Sequence, residues 1–172
     1  MRRAPDLLSE YAQTHRDRRN IATHFVGIPM IVFALGMLLA HPRFLVADLT
    51  LTPAWLVFSA VVPWYLSRGN LVLGVAVSAA TGALMLVAHQ LSSGSVAQWL
   101  TWGIGFFLLG WAMQGLGHWY EGKKPAFVDD IVGLLVGPMF VTAEALFALG
   151  WNKVLLTEIE RRAGPTHIRD MA

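Results

Sequence analysis

A long stretch without charged residues dominates this sequence. Residues 69–120 are 52 consecutive positions without Asp, Glu, Lys or Arg. Over the whole chain, 55% of the residues are hydrophobic and only 14% are charged. A soluble domain of this size must cover its surface with charged groups, because its surface is large relative to its volume. A water-soluble globular fold is therefore excluded, and so is intrinsic disorder, which requires few apolar residues.

The apolar residues form long continuous runs, which are typical of membrane-spanning helices. The strands of a membrane barrel would instead alternate in polarity over about ten residues. Since a spanning helix needs about 20 apolar residues, the sequence predicts four spanning helices followed by a fifth apolar segment. The four predicted spans are residues 21–40, 53–67, 71–91 and 96–117. We therefore predict an all-α, polytopic membrane bundle that forms a single domain over residues 1–172.

The fifth apolar run, residues 131–151, contains Gly133, Gly137, Pro138 and, in its middle, Glu144. This composition predicts a broken or re-entrant helix, which is tolerated at membrane depth only where protein or a wet cavity surrounds it. Five full spans are the alternative. An acidic residue in an apolar run is costly and is a functional candidate by default. We expect Glu144 to pair with a donor inside the membrane or to act on a nearby site.

Polar segments flank the apolar region on both sides. Residues 1–19 carry five arginines and three acids without an apolar core, so no cleavable signal peptide is expected. Within them, Leu7, Leu8 and Tyr11 share one face of a short amphipathic helix (residues 5–19) that could lie at the bilayer surface. The C-terminal tail, residues 153–172, is polar and of mixed charge.

The distribution of Lys and Arg predicts the orientation of the bundle. Positive residues are enriched in the cytoplasmic loops of membrane proteins. With four spans and a cytoplasmic N-terminus, the cytoplasmic side carries eight basic residues before the tail and the opposite side carries Arg43 alone. The net charge of +2 is therefore interpreted as loop charge that sets orientation, and no nucleic-acid partner is expected.

This topology brings two groups of polar residues to the same membrane face. The six residues are His15, Asn20, His24, Gln114, His118 and Glu121. Spacings of three or four residues within each group place side chains on one helical face. Imidazoles and a carboxylate with open positions between them suit Fe(II). Gln114 and Asn20 would then hydrogen-bond to the ligand rings and fix their orientation.

Other interpretations of these residues stay open at this point. A histidine at a helix end is often only an interfacial anchor, and His15 lies in a polar segment. Paired histidines could instead bind haem, as in a cytochrome b, and the interrupted fifth segment would also suit a transporter or scaffold. His89 is predicted to lie at the far end of its helix with a structural role.

The charged residues after the fourth span can also be explained by roles in topology or helix capping. Lys123 and Lys124 either mark orientation or hold an anionic headgroup. Asp129 and Asp130 are expected to cap the fifth helix, because acidic groups are favoured at a helix N-terminus.

Taken in order, the residues of this chain resemble the Mpo1-like family of membrane 2-hydroxy fatty acid dioxygenases. The most specific part is GHWYEGKKPA at residues 117–126, preceded by Gln114. The rest of the pattern consists of His15, Asn20, His24 and Pro29 upstream and Pro138, Phe140 and Glu144 downstream. The resemblance extends from Tyr11 to about Trp151, although residues 41–100 match only in hydrophobicity.

The resemblance implies an Fe(II)-dependent α-oxidation that converts a long-chain 2-hydroxy fatty acid into the acid one carbon shorter. It implies His15, His24 and His118 as the iron ligands and Glu121 as a further ligand or base. The implied partners are the 2-hydroxy fatty acid, dioxygen and the lipid bilayer. Fungal members act at the endoplasmic reticulum, and a bacterial member would lie in the inner membrane.

The predicted topology can be tested with a reporter fused after Ala172. If residues 131–151 enter and leave on the same face, a fusion after Ala172 should report the cytoplasmic side, as should one at the N-terminus. A fusion in the loop after Arg43 should report the opposite side and serves as the control. Reporters on opposite sides at the two termini would instead establish five spans.

Overall fold

The computed structural model describes residues 2–125 and 132–171, and helices account for most of them. The helices in these ranges are α1 Ala4–Ala12, α2 Arg18–Ala40, α3 Pro53–Leu66, α4 Leu71–Leu91, α5 Val96–Glu121, α6 Gly133–Ala148 and α7 Lys153–Ala163. Two strands, β1 Phe44–Val46 and β2 Leu49–Leu51, pair antiparallel between α2 and α3. The predicted helical class is confirmed. The hairpin was not predicted, because strands of three residues are too short to show an alternating pattern.

Three of the four predicted spans are confirmed as helices long and apolar enough to cross a membrane, namely α2, α4 and α5. With 14 residues, α3 rises by roughly 21 Å, which is less than the ~30 Å hydrocarbon core of a bilayer. It begins beside the hairpin, and just beyond its end the carbonyl of Arg68 accepts a hydrogen bond of 2.8 Å from the backbone N–H of Ala4 in α1. Thus α3 connects the hairpin end of the bundle with the end that carries α1.

Local sequence explains where the long helices begin and end. Asp17, Asn70 and Ser95 each accept a hydrogen bond from a backbone N–H in the first turn of α2, α4 and α5 respectively. These are preferred N-cap residues, because their side chains satisfy an N–H that the helix itself leaves unpaired. Gly122, at φ 69°, ends α5 in the left-handed conformation that glycine adopts without a steric penalty.

Glycines hold α2 and α5 close together in antiparallel orientation. A Cβ on Gly110 of α5 would lie 2.7 Å from Ile31 Cγ1 and 2.9 Å from the carbonyl oxygen of Gly27, both in α2. Towards the hairpin end, the indole of Trp99 donates a hydrogen bond of 2.9 Å to the carbonyl of Met37. Small residues let membrane helices approach closely. This pairing places the start of α2 level with the end of α5.

The described part of the fifth apolar segment, α6, packs beside α2 and ends near α1. A Cβ on Gly137, near the start of α6, would lie 3.2 Å from Ile28 in the first half of α2. Further along α6, Glu144 lies beside Arg16, just before α2 begins. The described part of the segment therefore ends beside Arg16, at the end of the bundle that carries α1, and the number of spans stays a prediction. Gly133–Ala148 is one continuous helix with Pro138 inside it, so this part is unbroken.

The flanking segments form helices that pack against the bundle, and the predicted end of the first helix is corrected. The N-terminal helix ends at Ala12, not at residue 19. Its predicted apolar face is buried, but it packs within the core formed with α6 and α7 and is not presented to lipid. The tail predicted as polar contains α7, whose Leu155 and Ile159 join the same core. An ion pair of 2.9 Å between Arg162 and Asp6 also links α7 to α1. The predicted caps Asp129 and Asp130 lie outside the described residues.

The close contact between α2 and α5 predicts that Gly110→Ala destabilises the protein. Its methyl group would overlap Ile31 and the Gly27 backbone, and such overpacking costs about 1–3 kcal/mol. Gly115→Ala in the same helix is the matched control, because a Cβ there meets nothing within 4 Å. Thermal unfolding in detergent should give a lower midpoint for Gly110→Ala and an unchanged or higher one for Gly115→Ala. Equal midpoints would contradict this packing.

Candidate metal centre

Three histidine rings meet at the end of the bundle that carries α1. His15 lies between α1 and α2, His24 lies in the second turn of α2, and His118 lies in the last turn of α5. Their side chains are buried, and each offers a nitrogen that lies within 4.8 Å of the other two. The rings are nearly perpendicular to one another, with interplanar angles of 81°, 78° and 80°. Among the described residues, these three form the group of side chains that could hold a metal ion.

Backbone carbonyls fix the protonation of two of these rings. Nδ1 of His15 lies 2.7 Å from the carbonyl oxygen of Tyr11, and Nδ1 of His24 lies 2.9 Å from that of Asn20. A carbonyl oxygen only accepts hydrogen bonds, so each Nδ1 carries the proton and donates it. The Nε2 atom of each neutral ring is then an unprotonated acceptor, and it is the atom that can bind a metal.

These two acceptors lie 3.0 Å apart, Nε2 of His15 facing Nε2 of His24. Two lone pairs at this distance repel each other unless a cation lies between them. In the other tautomer of His15, Nδ1 could accept a hydrogen bond from the Thr14 hydroxyl at 3.0 Å, but it would also lie 2.7 Å from the Tyr11 carbonyl oxygen without a proton between them. With both Nδ1 atoms protonated, a cation shared by the two Nε2 atoms would remove their repulsion, and together with His118 the three imidazoles could hold a metal ion.

Burial keeps His15 in the form that binds metals. It lowers the pKa of His15 well below the usual value, and the neighbouring His24 and His118 lower it further. The ring is also held by Tyr11, which stacks on it with a centroid distance of 3.9 Å and an interplanar angle of 9°. Burial raises the pKa of the Tyr11 hydroxyl, so this group stays protonated.

Glu121 fastens the loop that carries His15 to the end of α5. Its carboxylate accepts hydrogen bonds from the backbone N–H groups of Arg16 (3.0 and 3.1 Å) and Asp17 (2.8 Å). It also accepts a hydrogen bond of 3.1 Å from Nδ2 of Asn20. These donors occupy its oxygens, so Glu121 is placed to position His15. It does not belong to the group of possible metal ligands.

Asn20 and Gln114 were expected to orient the histidine rings, and only Asn20 does so. Asn20 orients His24, but through its backbone carbonyl, while its side chain joins Glu121 and the carbonyl of Thr14. Gln114 forms no hydrogen bond to a ligand ring. Its Nε2 is buried without a partner among the described residues, and the side chain lines a cavity beside His118.

Lys123 and Lys124, the candidates for holding a headgroup, and the acid Glu144 lie outside the histidine group. Lys123 is exposed and donates a hydrogen bond of 2.7 Å to the carbonyl of Gln13. Lys124 is also exposed. Glu144 pairs with the buried Arg16 at 3.4 Å, a donor that lies in the loop before α2.

Sequence reasoning missed a contact between the two ends of the chain. The backbone of His167 exchanges hydrogen bonds of 2.9 Å with Arg16 and Arg18, and the backbone N–H of Arg169 donates one of 2.8 Å to Asp17. The polar composition of both segments predicts only exposure. Only Asp17 has a sequence context that indicates an interaction, because an Asp before an apolar run is typical of a helix cap.

His41 and His89 lie at the opposite end of the bundle, near the hairpin. His41 stacks on Trp99 and its Nδ1 lies 2.9 Å from the carbonyl of Ser92, beyond the end of α4. His89 packs near Trp55. Both positions agree with the predicted separation of His89 from the histidine group.

A cavity of about 300 Å³ opens next to His118, between α2, α5 and α6. Ligand pockets in proteins range upward from roughly this size. Tyr11, Gln114 and His118 line one part of it, and apolar side chains such as Ile31, Leu35 and Phe107 line the rest. The histidine group therefore adjoins an apolar space inside the bundle.

The position of Glu121 predicts an effect on metal binding through His15. Glu121→Ala leaves the buried N–H groups of Arg16 and Asp17 without an acceptor, which costs about 1–3 kcal/mol. Loss of such a supporting contact lowers metal affinity by roughly 10–100-fold. Titration of purified protein with Fe(II) or Co(II) should detect this loss, and a smaller one for Glu121→Gln. Glu10→Ala is the control, because it removes an exposed carboxylate whose ion pair with Arg2 lies at the surface. Wild-type affinity and thermal stability in Glu121→Ala would contradict the positioning role.

Comparisons with known proteins agree with this geometry. The family model described as "2-hydroxy-palmitic acid dioxygenase Mpo1-like" matches residues 1–149. The chain is similar to the 2-hydroxy-palmitic acid dioxygenase MPO1 of Saccharomyces cerevisiae, with 28% identity over 163 residues, which cover 90% of this chain and 88% of the yeast protein. No solved structure matches. The resemblance seen in the sequence is thereby confirmed, and the chain belongs to the Mpo1-like family.

Proposed function

We propose that this protein is a membrane-bound, Fe(II)-dependent dioxygenase that converts long-chain 2-hydroxy fatty acids into acids one carbon shorter. The observation that carries the proposal is the convergence of two unprotonated Nε2 atoms and a third imidazole beside an apolar cavity. The name of the yeast relative supplies the substrate class.

The donor set fits iron. Imidazole nitrogens suit Fe, Zn and Cu, and a site with three protein ligands leaves positions open for other molecules. His15, His24 and His118 would hold the ion. When bound, Fe(II) supplies the electrons that let dioxygen react with a singlet organic substrate. Glu121 and Asn20 would keep the ligand rings in place, the first through the loop of His15 and the second through its carbonyl on His24.

A 2-hydroxy acid suits such a site because its hydroxyl and carboxylate oxygens can chelate one ion. The overall reaction balances with one dioxygen per substrate. The bond between C1 and C2 breaks, C1 leaves as carbon dioxide, C2 becomes the carboxyl carbon of the shorter acid, and the remaining oxygen leaves as water. The substrate is thus oxidised by four electrons while dioxygen is reduced by four, so no separate oxoacid is required.

The geometry favours this proposal over a haem protein of cytochrome b type. Axial ligands lie on opposite faces of a haem, whereas Nε2 of His15 and Nε2 of His24 are 3.0 Å apart. No haem plane fits between them. The transporter or scaffold alternative relied on an interrupted fifth segment with a buried acid. Gly133–Ala148 is one continuous helix, and the charge of Glu144 is matched by Arg16.

We also propose that the histidine site faces the cytoplasm. The excess of basic residues in the loops at this end supports that orientation. In a bacterium, this places the protein in the inner membrane with its N-terminus inside.

The proposal is tested with purified protein, Fe(II), dioxygen and 2-hydroxypalmitic acid. We expect near-stoichiometric non-haem iron and a product one carbon shorter, detected by mass spectrometry. His24→Ala and His118→Ala should lose both the iron and the turnover. His41→Ala is the matched control, since this histidine lies at the other end of the bundle.

Two outcomes would contradict the proposal. One is unchanged iron content and turnover in both His24→Ala and His118→Ala. The other is a Soret band with stoichiometric haem in the protein as isolated, which would favour the cytochrome alternative.

A further inference from the structure

The cavity beside His118 runs along the interface of α2 and α5. The pairing of these helices places His24 beside Gly117 and Ile31 beside Gly110, and the cavity continues from there to Leu35. Eleven residues separate His24 from Leu35, which corresponds to roughly 16 Å along the helix. The cavity is therefore an elongated space that begins at the histidine group and extends towards the middle of the bundle.

Polarity is confined to the end of the cavity near the histidines. There the lining includes the Tyr11 side chain, the Gln114 amide and the His118 ring. The buried Nε2 of Gln114 has no hydrogen-bond partner among the described residues. Because an amide can rotate to present either its nitrogen or its oxygen, Gln114 can serve a bound group as donor or acceptor. A buried polar atom without a partner is costly. Nε2 is enclosed against the backbone of Gly27, so Gln114 would meet a polar headgroup through its oxygen or after rotation of the amide.

The other part of the cavity is apolar and reaches the outer surface of the helices. Val32 lines its middle and is partly buried. Leu35 in α2 and Leu134 in α6 line it further out, where their side chains are 43% and 45% exposed. On an apolar bundle, this surface faces lipid. A ligand that fits the whole space therefore has one polar end and a long apolar chain.

We propose that this cavity is the acyl-chain site. The 2-hydroxy acid headgroup lies against Gln114 and Tyr11, next to the histidine group, and the chain runs past Val32 and leaves between Leu35 and Leu134 into the hydrocarbon layer. The inference rests on the proposed function for the identity of the headgroup. It adds that the substrate reaches the site sideways from the membrane, and that residues in the middle of α2 govern the use of long chains.

The test compares two substitutions of the same kind in one helix. Val32→Phe fills the middle of the cavity, whereas Val26→Phe lies outside the lining at a position 49% exposed. Turnover is measured for 2-hydroxy acids from short to long chains. Val32→Phe should lower kcat/KM about tenfold or more for the long acids, while acids too short to reach Val32 keep wild-type values. Val26→Phe should behave as wild type with every acid.

Binding is measured separately, with metal-free protein in micelles and a radiolabelled long-chain 2-hydroxy acid. Val32→Phe should weaken binding by about the same factor, and Val26→Phe should not. If the wild-type protein shows this binding pattern but makes no shortened acid, the proposed function fails and the acyl-chain site stands. If wild-type protein makes the shortened acid and Val32→Phe handles long chains equally well, the acyl-chain site is wrong.

A second variant covers the case in which Val32→Phe lowers thermal stability. Leu35→Trp narrows the cavity where it meets lipid, at a position that is already substantially exposed. It should show the same selective loss with long chains. A stable Leu35→Trp protein with a wild-type chain-length profile would overturn the inference, as would equal losses for short and long acids.

Discussion

The carboxylate of Glu121 is the interaction on which the rest of the site depends. A buried carboxylate is tolerated only when its oxygens are satisfied, and here the donors are two backbone N–H groups of the loop before α2 and the side chain of Asn20. The charge thereby fixes the path of a segment that has no regular structure of its own. His15 belongs to that segment, so a negative charge at the end of α5 determines where a metal-binding nitrogen lies.

The depth of His24 and His118 in the bundle is set by the packing of α2 against α5. The glycine contacts between α2 and α5 fix the register of these helices, and the register places His24 and His118 at one level. The short helix α6 lies on the third side, where Gly137 packs beside Ile28 and Leu134 lines the cavity together with Leu35. The contacts between α2 and α5 therefore align two of the three imidazoles and form one wall of the cavity.

Periodicity and composition were sufficient to predict the parts of this fold that depend on local sequence. The spans of α2, α4 and α5 follow from apolar length, and His118 and Glu121 from spacing on one helical face. The predicted topology put His15 on the same membrane face, but its role as a ligand followed only from resemblance to a family, because a histidine in a polar loop carries no periodic signal. The burial of α1 against α7 and the contact of His167 with Arg16 and Arg18 were not predictable. Both join segments more than a hundred residues apart, and neither composition nor spacing encodes such partners.

The contact between the chain ends also bears on how the protein is made. The loop with His15 is synthesised before any of the long apolar helices, whereas its backbone partner His167 is synthesised after all of them. The matched family region ends at residue 149, so this partner lies beyond it. While the helices insert, the loop that carries His15 is therefore without the segment that later contacts it. The complete set of contacts around this loop can form only after residue 167 has been synthesised.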